Sequence, residues 1–227
     1  MLENITALVQ ARFGSSRLPG KVLKKIGRYT ILERVVKNIL LTRCIKEVIV
    51  ITSTSKDDNK IVDLCKKKKI KYFRGPLNNV AQRYFQALKK KKLDYFMRIS
   101  ADSPFILPSL IDQLANKMKK GKYDIVTNIL KRSYPKGQSI EIFKRNIFLN
   151  NFKKFEKKDL EHVTTFFYRN QKNFIIYNQV SKKNCSSFNL SVDNISDYKR
   201  AKFISARLNN LYKIEPILNL YKKYEKN

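Results

Sequence analysis

The chain has 227 residues, with 49 Lys plus Arg against 18 Asp plus Glu, a formal net charge of +31. Hydrophobic residues make up 43% and aromatic residues 11%, enough to build a core, which excludes a disordered basic tail. Six Gly and six Pro exclude collagen-like and linker-like chains, and three scattered cysteines (Cys44, Cys65, Cys185) give neither a disulfide framework nor a metal-ligand spacing.

The elements read as follows in chain order. Ile5–Gln10 is a short apolar run, and residues 30–43 carry Ile31, Leu32, Val35, Val36, Ile39 and Leu40 at helical spacing. Residues 47–52 (EVIVIT) form a continuous apolar strand, the pattern of a strand buried on both faces. Residues 57–68 predict a helix, 71–74 a strand and 78–91 a second helix with Val80, Tyr84, Ala87 and Leu88 inward. Residues 94–99 predict a strand, Pro108–Lys120 a helix and 124–127 a strand. This βα alternation predicts a mostly parallel sheet with helices on both faces. Beyond about residue 130 the pattern changes. Residues 138–143 alternate like a half-exposed strand, 159–169 read as one helix, 174–180 and 186–192 as strands, and 194–208 as a helix with Asp197 in its first turn. One α/β domain over residues 1–227 is expected, with a β-rich insertion at about 132–182.

The charge itself raises three readings: nucleic-acid phosphates, an anionic membrane surface, or an anionic substrate. Lysine supplies 36 of the 49 cations, alongside 23 Ile and 20 Asn, a bias that AT-rich coding produces without any function. No apolar run approaches the roughly 20 residues of a membrane span, and no leader-like segment is visible. A cytoplasmic protein with no membrane partner is expected. Neither an aromatic–basic RNP-like signature nor a basic recognition helix supports a nucleic-acid partner.

The chemistry concentrates after the first strand, in Gln10-Ala11-Arg12-Phe13-Gly14-Ser15-Ser16-Arg17-Leu18-Pro19-Gly20-Lys21. Open α/β sheets bind ligands beyond the strand C-termini. A loop there with two Gly, two Ser, two Arg and one Lys suits phosphates, through backbone N–H groups and fixed cations. It is not a Walker A loop, because five residues separate Gly14 from Gly20 and Val22 follows Lys21. Asp102 sits just past the predicted strand 94–99, and Asp193 just past 186–192, so both fall at the same sheet edge. Mg²⁺ takes one or two protein carboxylates and fills its octahedron with phosphate oxygens and water.

QARFGSSRLPGKVL closely resembles the QARxGSxRLPGKxL signature of the sugar cytidylyltransferases. The spore-coat polysaccharide type is nearest, and CMP-sialic acid and CMP-Kdo synthetases are more distant. The likeness continues in order through TSTSKDD, YFRG, VAQRY, RISADSP, EHVT and LSVD, the last similar to WTVD. The resemblance implies a three-layer Rossmann-like nucleotidyltransferase fold and transfer of CMP from CTP to a sugar or sugar acid, with Mg²⁺ as cofactor. It implies Arg12 and Lys21 as catalytic residues. It implies Ala11, Gly14, Ser15, Ser16, Arg17, Thr52, Ser53, Thr54, Arg83 and Ser100 as further nucleotide contacts. Asp102 and Asp193 would hold the metal, and Gly137, Glu141, Glu161 and His162 the acceptor, with His162 a general base as the alternative. Tyr134-Pro135-Lys136-Gly137-Gln138-Ser139-Ile140-Glu141 resembles YPDGLDVE but departs from it at Lys136, Gln138 and Ser139. Relatives commonly dimerise, so a homodimer is expected. A glycosyltransferase-like enzyme is the competing reading, but no DxD motif lies near Asp102.

The lysine runs 66–69, 89–92 and 117–120 end predicted helices. Cations there complement the helix dipole. In a βαβ unit these ends fall on the sheet edge opposite the phosphate loop, which predicts that they do no substrate work.

Overall fold

The structure, a computed structural model, describes residues 5–208 and 212–226. In chain order it runs β1 (Ile5–Gln10), β2 (Lys25–Ile26), β3 (Tyr29–Thr30), α1 (Ile31–Leu40), β4 (Ile45–Ser53), α2 (Asn59–Lys67) and β5 (Lys71–Gly75). It continues with α3 (Val80–Lys89), β6 (Tyr95–Ser100), α4 (Pro108–Lys120), β7 (Ile125–Thr127), β8 (Glu141–Lys144) and α5 (Arg145–Asn151). It closes with α6 (Lys157–Glu161), α7 (Thr165–Arg169), β9 (Ile176–Asn178), α8 (Ile195–Arg207) and α9 (Ile214–Glu225).

A seven-stranded sheet in the order β5-β4-β1-β6-β8-β7-β9 forms the middle layer. The first four strands are mutually parallel, and β8 runs antiparallel to both β6 and β7. Successive side chains on a strand point to opposite faces. Ala7, Val9, Val50, Met97 and Ile99 therefore enter one core, against α1, α4 and α8. Leu8, Ile49, Ile51, Phe96 and Phe143 enter the other, against α3, α5 and α7. The helices start where local chemistry places them. Thr30 and Glu33 form a capping box on α1, Pro108 occupies the first turn of α4, and Asn194 with Asp197 caps α8.

Three expectations change. Residues 138–143 do not make a half-exposed strand: β8 is buried because it inserts between β6 and β7. Residues 159–169 are two short helices that break at His162, and residues 186–192 form no strand beyond a single bridge from Asn189 to Lys136. The segment 132–182 is accordingly more helical than β-rich. Its Phe148, Phe155, Phe167 and Phe174 stack on one another and on Phe143, which welds the segment onto the sheet.

Candidate active site

The site begins where β1 ends. Two hydrogen bonds pin the base of the loop that follows: the Phe13 N–H donates to Asp58 Oδ1 at 2.7 Å, and the Gly20 N–H donates to the Phe13 carbonyl at 2.9 Å. Gly20 has φ +67°, and a Cβ there would stand 2.7 Å from the Phe13 ring, so this closure requires glycine. A single 3₁₀ turn at Lys21–Leu23 then carries Lys21 inward, leaving its side chain 12% exposed.

Asp102 follows β6 and Asp193 precedes α8. The Val192 N–H donates to the Asp102 carbonyl at 2.9 Å, which ties the two segments together. Lys21 Nζ donates to Asp102 Oδ2 at 2.8 Å and to Asp193 Oδ1 at 2.9 Å. Lys136 Nζ donates to Asp193 Oδ2 at 2.5 Å, and Arg17 Nη2 lies 3.7 Å from Asp193 Oδ1. Burial works against a charged Lys21, but Asp102 and then Asp193 hold its ammonium above the ordinary 10.5. Burial also works against the Asp193 carboxylate, yet hydrogen bonds from Lys136 and Lys21 hold it well below 3.8.

Arg17, Lys21, Asp102 and Asp193 line a cavity of about 250 Å³, together with Arg12, Ser15, Ser16, Ser100, Glu161 and His162, and Lys136 reaches Asp193 from outside that lining. Two carboxylates within reach of one ammonium are hard oxygen donors. No cluster of three or more His, Cys, Asp or Glu suited to a metal occurs among the described residues. That donor set fits a hard divalent cation completed by phosphate oxygens and water.

A family profile described as cytidylyltransferase matches residues 6–223. The chain belongs to the cytidylyltransferase family. It is 32% identical over 198 residues to the uncharacterized protein MJ1063 of Methanocaldococcus jannaschii, covering 86% of this chain and 80% of that one. It is 25% identical over 211 residues to the spore coat polysaccharide biosynthesis protein SpsF of Bacillus subtilis, covering 88% and 86%. A solved cytidylyltransferase from Leptospira borgpetersenii superposes with a TM-score of 0.89 at 26% identity, over 99% of this chain and 95% of that chain.

In this cytidylyltransferase the remaining residues singled out from the sequence sit elsewhere. The Thr52 and Ser53 side chains are buried and face Asp58, not the cavity. Asp58 Oδ2 accepts from Thr52 Oγ1 at 3.0 Å, Ser53 Oγ at 2.5 Å and the Ser53 N–H at 2.9 Å. Burial would raise the Asp58 carboxyl, but these donors and the Phe13 N–H hold it below its usual range. Thr54 is exposed off the cavity, Ala11 is buried beneath it, and a Cβ on Gly14 would meet open space. Arg83 is 1% exposed and lies against Gly75, where a Cβ would stand 2.6 Å from its Cγ. Its Nη2 donates to the Leu77 carbonyl at 3.5 Å, whereas Nε and Nη1 find no partner.

Glu141 does not reach the cavity. It is buried, pairs with Arg98 and accepts from the Tyr168 hydroxyl at 2.7 Å. Arg98 is the group that lines the cavity, with its Nη2 also 3.3 Å from Gln10 Oε1. Gly137 makes a turn with φ +91° and packs on the backbone of Leu190 and Ser191. Gln138 is a structural pin, bonded to the Phe105 carbonyl at 2.6 Å and the Leu107 N–H at 3.1 Å.

Sequence reasoning gave no role to Asp58 or Lys136. Asp58 stands in the TSTSKDD block, and Lys136 is itself a departure from YPDG, so both carried a signal.

Among the terminal lysines of α2, α3 and α4, none lines this cavity. At that other edge, near the start of β4, Glu47 takes Lys71 at 2.5 Å and Lys91 at 3.4 Å.

Proposed function

We propose that the enzyme transfers CMP from CTP to a sugar or sugar-acid acceptor, with Mg²⁺, and releases pyrophosphate, supplying a surface polysaccharide. The observation that carries this reading is the Lys21 ammonium between Asp102 and Asp193, on a cavity walled by Arg12, Ser15, Ser16 and Arg17. The triphosphate lies along the loop. Arg12, Arg17 and Lys21 offset its charge and stabilise the charge that grows on the phosphoryl oxygens and pyrophosphate during in-line attack. Ser15 and Ser16 add hydroxyl donors, and the open space above Gly14 leaves room for a phosphate. Asp102 and Asp193 would hold the Mg²⁺, which would supply charge neutralisation to the phosphate oxygens.

Ser100, on the cavity wall, is assigned to the nucleotide side. Glu161 and His162, both exposed on the cavity, are assigned to the acceptor. The acceptor oxygen bonds to the α-phosphorus, the α–β phosphoanhydride bond breaks, and one of these two side chains takes the acceptor's proton. The enzyme works in the cytoplasm, a reading supported by its unbridged Cys44, Cys65 and Cys185. No helix of the described residues is long and apolar enough to cross a membrane. It pairs as a homodimer through the edge strand β9, whose flanking Ile175 and Val180 are 58% and 48% exposed.

The test is pyrophosphate release from CTP, UTP and ATP with Mg²⁺ and a panel of sugar acids and neutral sugars. Release with CTP and one acceptor class is expected. CTP binding unchanged in Lys21→Ala and Arg12→Ala would contradict the role given to the loop.

A further inference from the structure

Lys136 stands where the family pattern carries an acidic residue, and its charge is directed at Asp193 rather than left in solvent. Its backbone is fixed relative to the segment that bears Asp193. The Lys136 N–H donates to the Phe188 carbonyl at 3.0 Å, and the Leu190 N–H donates to the Lys136 carbonyl at 2.8 Å. Gly137, with φ +91°, lets the two segments approach so closely that a Cβ would stand 2.7 Å from the Leu190 and Ser191 backbone. Any other residue at 137 would push Lys136 away from Asp193.

The result is a carboxylate with an ammonium on each oxygen. Lys21 sits 2.9 Å from Asp193 Oδ1 and Lys136 sits 2.5 Å from Oδ2. A divalent cation held by Asp193 needs at least one of those oxygens, so one lysine must yield. The two lysines differ in freedom. Lys21 is 12% exposed and is also bonded to Asp102, whereas Lys136 is 52% exposed and Asp193 is its hydrogen-bond partner. A half-exposed lysine has water to move into at little cost. Lys21 has none.

We infer that Lys136 is a positioning residue that holds Asp193 in the nucleotide-free enzyme and competes with the divalent cation for it. It therefore sets how tightly the site takes the cation, and it leaves Asp193 when cation and triphosphate arrive. This inference rests on the assignment of Asp102 and Asp193 to the metal. The design keeps two aspartates assembled beside Lys21 without a metal, at the expense of metal affinity.

The experiment titrates Mn²⁺ alone, followed by electron paramagnetic resonance, into wild type, Lys136→Gln, Lys136→Arg and Asp193→Asn. Removing a half-exposed competing ion pair predicts that Lys136→Gln binds Mn²⁺ about fivefold tighter than wild type. Lys136→Arg, which keeps the charge, should stay near wild type, and Asp193→Asn should bind at least about tenfold more weakly. A melting scan gives a second readout, with a larger Mn²⁺-induced rise in Tm for Lys136→Gln than for wild type. Equal Mn²⁺ affinity in wild type and Lys136→Gln, with Asp193→Asn still impaired, overturns the role of Lys136 and leaves the metal assignment standing. Equal affinity in wild type and Asp193→Asn overturns the metal assignment, and the inference falls with it.

Discussion

The two ends of the parallel strands are both rich in cations, but they treat them differently. At the C-terminal end, Lys21 and Lys136 are held 2.5–2.9 Å from carboxylates, and Lys21 is nearly enclosed. At the N-terminal end, Lys71 and Lys91 share Glu47 while their own side chains are 67% and 42% exposed. The last turns of α2, α3 and α4 add Lys66, Lys67, Lys89, Lys117, Lys119 and Lys120 on that side. The lesson is that net charge says little until it is divided by position. Water and salt screen the second group, whereas enclosure keeps Lys21 effective in the first.

The sharpest way to press this contrast is to unbalance a buried charge. Arg98→Met strands Glu141, which is 1% exposed, and should cost about 3–5 kcal/mol in denaturant unfolding. Adding Glu141→Leu should recover most of that loss, because the stranded charge is then gone. The next effect is at Asp58. Asp58→Ala leaves the Thr52 and Ser53 donors and the Phe13 N–H without their acceptor, which predicts a loss of about 2–3 kcal/mol and a looser phosphate loop. Proteolysis or hydrogen exchange around residues 11–20 reads the loosening. Glu47→Gln at the opposite edge, whose partners are largely exposed, should cost under about 1 kcal/mol.

The pH dependence reads the ion pairs of Asp193. The folded Asp193 carboxyl is held below its usual 3.8, so its contribution is present above about pH 4 and is lost as pH falls through the lower, folded value. The stability gap between wild type and Asp193→Asn should therefore shrink on acidification below pH 4. A gap that widens there contradicts the ion-pair account. The smallest effect is expected for neutralised lysines. Lys67→Gln, Lys89→Gln or Lys120→Gln should each change stability by less than about 0.5 kcal/mol.

Much of this contrast was legible in the sequence, because helix ends and strand ends are local features. Pro108–Lys120 begins and ends as its pattern predicts, and the loop from Ala11 to Lys21 follows its strand as expected. Three things were not legible. The insertion of β8 between β6 and β7 depends on which strands pair, and alternation along one strand carries no information about its neighbours. The burial of Arg83 depends on Gly75 leaving room for its Cγ. Thr52 and Ser53 look like free hydroxyls in sequence, but the 3₁₀ turn at Lys56–Asp58 folds an acceptor back onto them. In each case the deciding contact lies on another element, or on a turn whose direction the pattern does not specify.

In the proposed function the few cations on the cavity wall, and not the total of +31, bind the nucleotide. Calorimetric CTP binding with Mg²⁺ tests it most directly, comparing wild type, Lys21→Ala and a variant with Lys66, Lys67, Lys89, Lys119 and Lys120 all changed to Gln. Lys21→Ala should weaken CTP binding by about 100-fold, and the five-lysine variant should stay within about twofold of wild type at physiological salt. A five-lysine variant that loses CTP binding while Lys21→Ala keeps it would contradict the account.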